Sequence, residues 1–146
     1  MNRVKWGMFM CQKTTRTGYR IIGLRDATGK KRFHPIHRLV AQAYVGDVKN
    51  RVVDHIDGNL ENNHASNLRL CDSSQNQGNR KLSRNNTSGF KGVCWQNQMK
   101  KWQMSCRING SRRYSWHDTK EEAARAYDTV AIEAHGEFAR VNFPRS

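Results

Sequence analysis

Apolar positions early in the chain follow two different periods. Tyr19 to Leu24 reads as a strand, "DATGK" as a turn, and Lys31 to His34 as the return strand of a hairpin. Pro35 then opens "IHRLVAQAY", where Ile36, Leu39, Val40, Ala43 and Tyr44 recur at helical spacing, and Gly46 ends the segment. "RVVDHI" is a short β-branched strand and "NLRLCD" a second one. Between them, "DGNLENNHAS" is a loop, because Asp, Asn and Gly readily bond their own backbone. Ser73 is the expected N-cap of a helix through "SQNQGNRKL", with Gly78 as a weak point inside it.

The pattern changes after residues 83–89, "SRNNTSG", which are polar, lack periodicity and read as a linker. "FKGVCW", "KWQMSCRI" and "SRRYSW" read as three strands, the last two joined by the two-residue hairpin signal Asn109–Gly110. Thr119 and Glu122 form a capping box ahead of a helix whose apolar face is Ala123, Ala126, Tyr127, Val130, Ala131 and Ala134. Gly136 suits its C′ position. The fold class expected is α+β: an N-terminal hairpin and a ββα unit over residues 1–82, then a three-stranded antiparallel sheet packed on one helix over residues 90–146. Trp102, Trp116, Tyr127 and Phe143 are the expected core under that helix.

Composition narrows the function. The chain has 146 residues, only 36% hydrophobic, with a formal net charge of +14. A field this positive favours a polyanion, most simply nucleic acid. The charge is uneven: Met1 to Gly46 carries ten Lys or Arg and one acid, Asp47 to Ser83 five of each, and Arg84 to Ser146 eleven against six. A neutral island therefore lies between two basic flanks. Cys11, Cys71, Cys94 and Cys106 show no CxxC pairing, which gives a zinc ribbon no support. Nothing at the N-terminus reads as a signal peptide and no apolar run approaches the ~20 residues of a membrane span. The expectation is a cytoplasmic protein with reduced thiols and no membrane partner.

The neutral island carries candidate chemistry. Asp54 and His55 are adjacent on a strand, so they point to opposite faces. A carboxylate from the strand and the amide of Asn76 from the following helix, with waters, suit a hard divalent cation such as Mg²⁺. A neighbouring His acts as general base on an attacking water, and a metal stabilises charge on a scissile phosphate. Asn59, Asn62 and Asn63 read as turn chemistry, His64 as solvated, and Cys71 as a small core residue.

Asp54–His55, then Asn67, then Asn76, within "VDHIDGNLENNHASNLRLCDSSQNQGNR" and after "HRLVAQAY", resembles the HNH nuclease motif of phage and intron homing endonucleases. The resemblance implies Asp54 and Asn76 as metal ligands, with Mg²⁺ the first choice and Mn²⁺ the alternative. It implies His55 and Asn67 as the catalytic pair, His55 as base and Asn67 as the residue that bonds the loop backbone to hold the ββα shape. Many members end the motif in His where this chain has Asn76, and some hold a structural zinc with Cys pairs absent here. Arg69 or Arg80 is the candidate transition-state clamp.

The segment from Ser88 to Pro144, with "FKGV", "KW", "HDT", "EEAARAYD" and "VNFP", resembles the DNA-binding domain of plant APETALA and ethylene-response-factor regulators. The resemblance implies a sheet lying in the major groove of duplex DNA. Expected DNA contacts are His37, Arg38, Arg69, Arg80, Lys91, Trp95, Gln96, Lys101, Arg107, Arg112 and Arg113. For His37, helix capping is the alternative to a phosphate contact. Cys94 and Gln96 replace Arg of the plant pattern, so base preference does not carry over.

The expected function is metal-dependent hydrolysis of DNA phosphodiesters, site-specific nicking or homing, by a monomer with a dimer as the alternative, and no small-molecule substrate. The rival is a sequence-specific DNA-binding regulator with a silent nuclease unit. The intact Asp54, His55 and Asn76 disfavour it.

Overall fold

The first sheet has one strand more than the expected hairpin. Strands β1 (Gln12–Thr14), β2 (Arg20–Arg25) and β3 (Lys31–Pro35) are antiparallel in that order, with Lys13 opposite Ile21 and Ile22 opposite His34. Residues of β1 are all exposed, so no apolar alternation announces the strand. The β2–β3 turn is built by Asp26, whose Oδ1 accepts from the N–H groups of Thr28 and Lys30 and from the Thr28 hydroxyl. Helix α1 (Ile36–Tyr44) follows as expected and buries His37 and Ala41.

The computed structural model describes residues 10–108 and 110–144, and these divide into two compact units, the first ending at Leu70 and the second beginning at Cys71. In the first unit, β4 (Val52–His55) pairs with β5 (Leu68–Cys71), whose last residue crosses the division. A single 3₁₀ turn, Ala65–Asn67, leads into β5. The apolar core is small: Ala41, Val53 and Leu68, flanked by Val40, Val48 and Leu70. So few apolar side chains leave polar groups to hold the unit. Arg38 donates to the carbonyls of Val48 (2.9 Å) and Arg51 (3.1 Å) and pins the chain after α1.

The second unit starts with α2 (Ser73–Gly78). Its N-cap is Asp72 rather than the expected Ser73. The Asp72 carboxylate accepts from Gln75 N–H while the Gln75 side chain accepts from Asp72 N–H, a reciprocal capping box. The helix ends at Gly78 instead of running to Leu82. Gly78 is buried against His135, and its carbonyl accepts from Lys91 Nζ (2.5 Å) and Arg140 N–H (3.0 Å).

Strands β6 (Val93–Gln96), β7 (Lys101–Ile108) and β8 (Ser111–His117) form an antiparallel sheet in that order, and α3 (Lys120–His135) packs on one face. β6 begins later than "FKGVCW" suggested. Gly92 has φ +73, and Asn86 and Ser88 side chains bond the Phe90 and Val93 carbonyls, so residues 88–92 are a closed turn. Ile108 opposes Ser111, which leaves a two-residue hairpin; Asn109 of that turn lies outside the described residues. The Thr119–Glu122 capping box is formed and α3 gives way to a 3₁₀ turn at Gly136.

The core of this unit is Val93, Met104, Cys106, Ala123, Ala124, Tyr127, Ala131 and Ala139, with Trp102, Ala126, Val130 and Phe143 packed against it. Trp116 corrects the sequence expectation. It opposes Gln103, on the sheet face away from Met104 and Cys106, and is 46% exposed. Buried Asp128 holds the segment that follows α3: its carboxylate accepts from Asn142 N–H (2.7 Å) and Phe143 N–H (2.9 Å). Asn142 in turn exchanges hydrogen bonds with the Lys91 backbone. No helix among the described residues is long and apolar enough to cross a membrane.

Candidate active site and basic faces

Asp54 and His55 end β4 and are both buried, at 6% and 2% exposed. Burial of a carboxylate demands a partner. Arg69 on β5 supplies one, its Nε and Nη2 donating to Asp54 Oδ2 at 3.0 and 2.9 Å.

His55 is fixed from the loop. Its Nε2 lies 3.1 Å from Asn63 Oδ1. The Asn63 amide nitrogen donates to the Glu61 carbonyl, which turns the amide oxygen toward the imidazole. The contact fixes the orientation of the His55 ring. The ring packs 5.3 Å from His37 and 6.2 Å from Tyr19, and those two rings lie 4.8 Å apart. His37 is 8% exposed and its Nδ1 finds no partner among the described residues. Burial, with His55 and Arg38 nearby, pushes its pKa down to about 4, so it is neutral at physiological pH.

The loop owes its shape to Asn67 and Asp57. Asn67 Oδ1 accepts from Asp57 N–H (3.1 Å), and its amide nitrogen donates to Asp57 Oδ1 (3.0 Å) and to the Asn62 carbonyl (2.9 Å). Asp57 also accepts from Asn59 N–H and the Asn62 side chain. Those bonds, led by Asn59 N–H, hold its pKa down to about 2. Asn59 and Asn62 are thus turn chemistry as expected. Asn63 is not only that, since it reaches His55. His64 caps the 3₁₀ turn by accepting from Ser66 N–H.

Asn76 is half-buried on α2 in the second unit. His37 and Arg38 are turned to internal tasks: a buried ring beside His55, and a main-chain clamp. Gln96, Lys101, Arg107 and Arg112 share the sheet face away from α3, with Tyr114 and Trp116 exposed among them. Lys101 pairs there with Asp118 at 2.7 Å. Trp95 and Arg113 lie on the α3 side instead, Trp95 edge-on to Trp102 at 5.2 Å and Arg113 paired with Glu133 at 3.2 Å. Arg80 and Lys91 line a basic cavity in the second unit with Lys81. Tyr19, Lys81 and Tyr114 are residues that sequence reasoning did not single out, while Asn63 read as turn chemistry and Trp116 as core. Only spatial neighbours distinguish them.

The HNH endonuclease family profile matches residues 34–77, a span that contains Asp54, His55, Asn67 and Asn76. Protein 3.8 of Escherichia phage T7 is 37% identical over 106 residues, which are 71% of this chain and 87% of that protein. The chain belongs to the HNH endonucleases. Two further relatives carry that description in their names. A prophage-derived HNH homing endonuclease named in Bacillus subtilis (strain 168) is 38% identical over 60 residues, 40% of this chain and 35% of that protein. An uncharacterized HNH endonuclease of Acanthamoeba polyphaga mimivirus is 38% identical over 91 residues, 62% of this chain and 46% of that protein. This HNH endonuclease therefore spans less than half of either. Among solved structures, the HNH homing endonuclease I-HmuI, described for DNA binding and cleavage, aligns with a TM-score of 0.42 and 24% identity, over 86% of this chain and 75% of that one.

Proposed function

We propose that this nuclease is a metal-dependent DNA endonuclease that hydrolyses phosphodiester bonds, nicking one strand per encounter at a site selected by its C-terminal sheet. The observation that carries the reading is the pair Asp54–His55: a buried carboxylate held by Arg69 and a buried imidazole held by Asn63, consecutive at the end of one strand.

Asp54 and Asn76 are the residues that would hold a divalent cation. The donor chemistry fits. One carboxylate and one amide oxygen suit a hard ion that keeps most of its water, as Mg²⁺ does, with Mn²⁺ as the alternative. Among the described residues no group of three or more His, Cys, Asp or Glu is gathered at one place. Such an ion supplies charge stabilisation at the scissile phosphate and leaving oxygen. His55 takes the proton of the attacking water, its ring oriented by Asn63 at Nε2. Asn67 acts as a positioning residue, its amide committed to the loop. Arg69 holds the Asp54 carboxylate in place. One such centre per chain makes a single-strand nick the default for a monomer.

DNA docking is assigned to the C-terminal unit, whose resemblance to APETALA and ethylene-response-factor domains supports a groove-reading sheet. Gln96, Lys101, Arg107 and Arg112 share its open face, which a major groove can accept. The test is incubation of the full chain with supercoiled plasmid, with Mg²⁺ and with chelator. Nicked circles that need the metal support the proposal. Cleavage undiminished by chelator, or none with any divalent metal, refutes it.

A further inference from the structure

We propose that the second unit carries a sequence-independent phosphate anchor, a cavity of about 790 Å³ whose wall holds Arg80, Lys81, Lys91, Arg107 and Arg112. The inference rests on the DNA reading above and adds where a backbone phosphate is gripped, at the end of the open sheet face that carries Arg107 and Arg112.

Three observations point to an anion. Five cations line the cavity and no Asp or Glu does. Among the described residues, Arg80, Lys81, Arg107 and Arg112 have no carboxylate within ion-pair distance; the acids near this part of the sheet are engaged elsewhere, Glu133 by Arg113. Arg107 and Arg112 are direct cross-strand partners. Like charges directly opposite destabilise a sheet, so this pair is an unfavourable arrangement that an anion between the guanidinium groups relieves. Lys91 adds a third mark. Its ammonium, burial first and Arg140 next, is pushed down to about 8, and it donates to the Gly78 carbonyl rather than to an acid.

The chemistry favours a phosphodiester. Two guanidinium forks match paired phosphate oxygens, and ammonium groups add point charge. Ser73, Ser74 and Asn86 contribute neutral polar groups to the same wall. The volume lies in the range that takes a nucleotide-sized group. Free phosphate shares this chemistry, and the test separates the two.

Lys81, Arg107 and Arg112 are exposed, so their replacement spares the core. The full-length triple variant Lys81→Gln/Arg107→Gln/Arg112→Gln, and Arg112→Gln alone, are compared with the parent after circular dichroism confirms folding. Duplex affinity is measured across salt concentrations on three unrelated sequences. The anchor predicts a loss on the order of 10–100-fold for the triple variant, equal on all three duplexes, with the salt slope reduced by about two. Arg112→Gln alone reduces the slope by about one. Parental affinity and slope in both variants overturn the anchor while leaving the DNA reading intact. A loss confined to one sequence overturns it too, because that is base reading. A parent that binds no duplex removes the DNA reading and the anchor together. Tight binding of inorganic pyrophosphate that leaves duplex affinity unchanged assigns the cavity to a free anion and overturns the backbone assignment.

Discussion

Asn63→Ala isolates the step from loop geometry to chemistry. The substitution removes the 3.1 Å contact to His55 Nε2 and the bond to the Glu61 carbonyl, while the Asp57–Asn67 clasp that shapes the loop stays in place. A partly buried neutral hydrogen bond contributes a net ~0.5–1.5 kcal/mol. If that bond orients the His55 ring, the same energy appears in the barrier. At ~1.36 kcal/mol per decade, single-turnover cleavage slows about two- to twelvefold. DNA affinity is unchanged, because the side chain faces the imidazole. Asn59→Ala is the companion, since the exposed Asn59 side chain bonds Glu61 N–H, whereas Asn63 bonds His55; it cleaves at the parental rate. The assay is conversion of supercoiled to nicked plasmid with enzyme in excess, beside a gel-shift affinity for each variant. A parental rate for Asn63→Ala, or a loss that lies wholly in affinity, refutes the assignment of Asn63 as the residue that orients His55.

Other outcomes follow from single contacts. Arg69→Met leaves the Asp54 carboxylate buried without its guanidinium and destabilises the fold by about 3–5 kcal/mol, read by urea denaturation; a loss under 1 kcal/mol contradicts the pairing as a main support of Asp54. Gly78→Ala places a methyl 2.8 Å from the His135 ring and costs about 1–3 kcal/mol. His135→Ala in the same chain recovers most of it, and the absence of recovery contradicts that contact. Asp57 is depressed from 3.8 to about 2, so its contribution to stability is present above about pH 4 and is lost as pH falls toward 2. Asp57→Asn flattens that acid limb of the denaturation curve, and an unaltered limb counts against the loop network.

Local pattern was enough for most of the elements. Helix α1 spans the nine residues that its apolar spacing marked, and α3 begins at its capping box. The misses share a cause: they are set by neighbours distant in sequence. β1 is a polar strand paired to β2. The end of α2 is fixed by Gly78 meeting His135, Lys91 and Arg140. Trp116 has the composition of a core residue, but register, which periodicity alone does not set, puts it on the open face.

The site was legible to a similar depth. The spacing of Asp54, His55, Asn67 and Asn76 marked the motif, and the Asn67 amide makes the loop bonds that its position implied. Asn63 read as turn chemistry beside Asn59 and Asn62, because only folding decides which amide reaches His55. His37 carries the same lesson in reverse. An imidazole on a basic helix reads as a phosphate contact, yet the small apolar core of the first unit recruits the ring as packing beside Tyr19 and His55.

The central claim is that His55 is the base of a metal-dependent DNA cut, and His55→Ala tests it most directly. With Mg²⁺ and enzyme in excess over supercoiled plasmid, the account predicts a fall of about 10²–10⁴-fold in nicking rate, with gel-shift affinity for the same DNA retained. Cleavage by His55→Ala at the parental rate would contradict it.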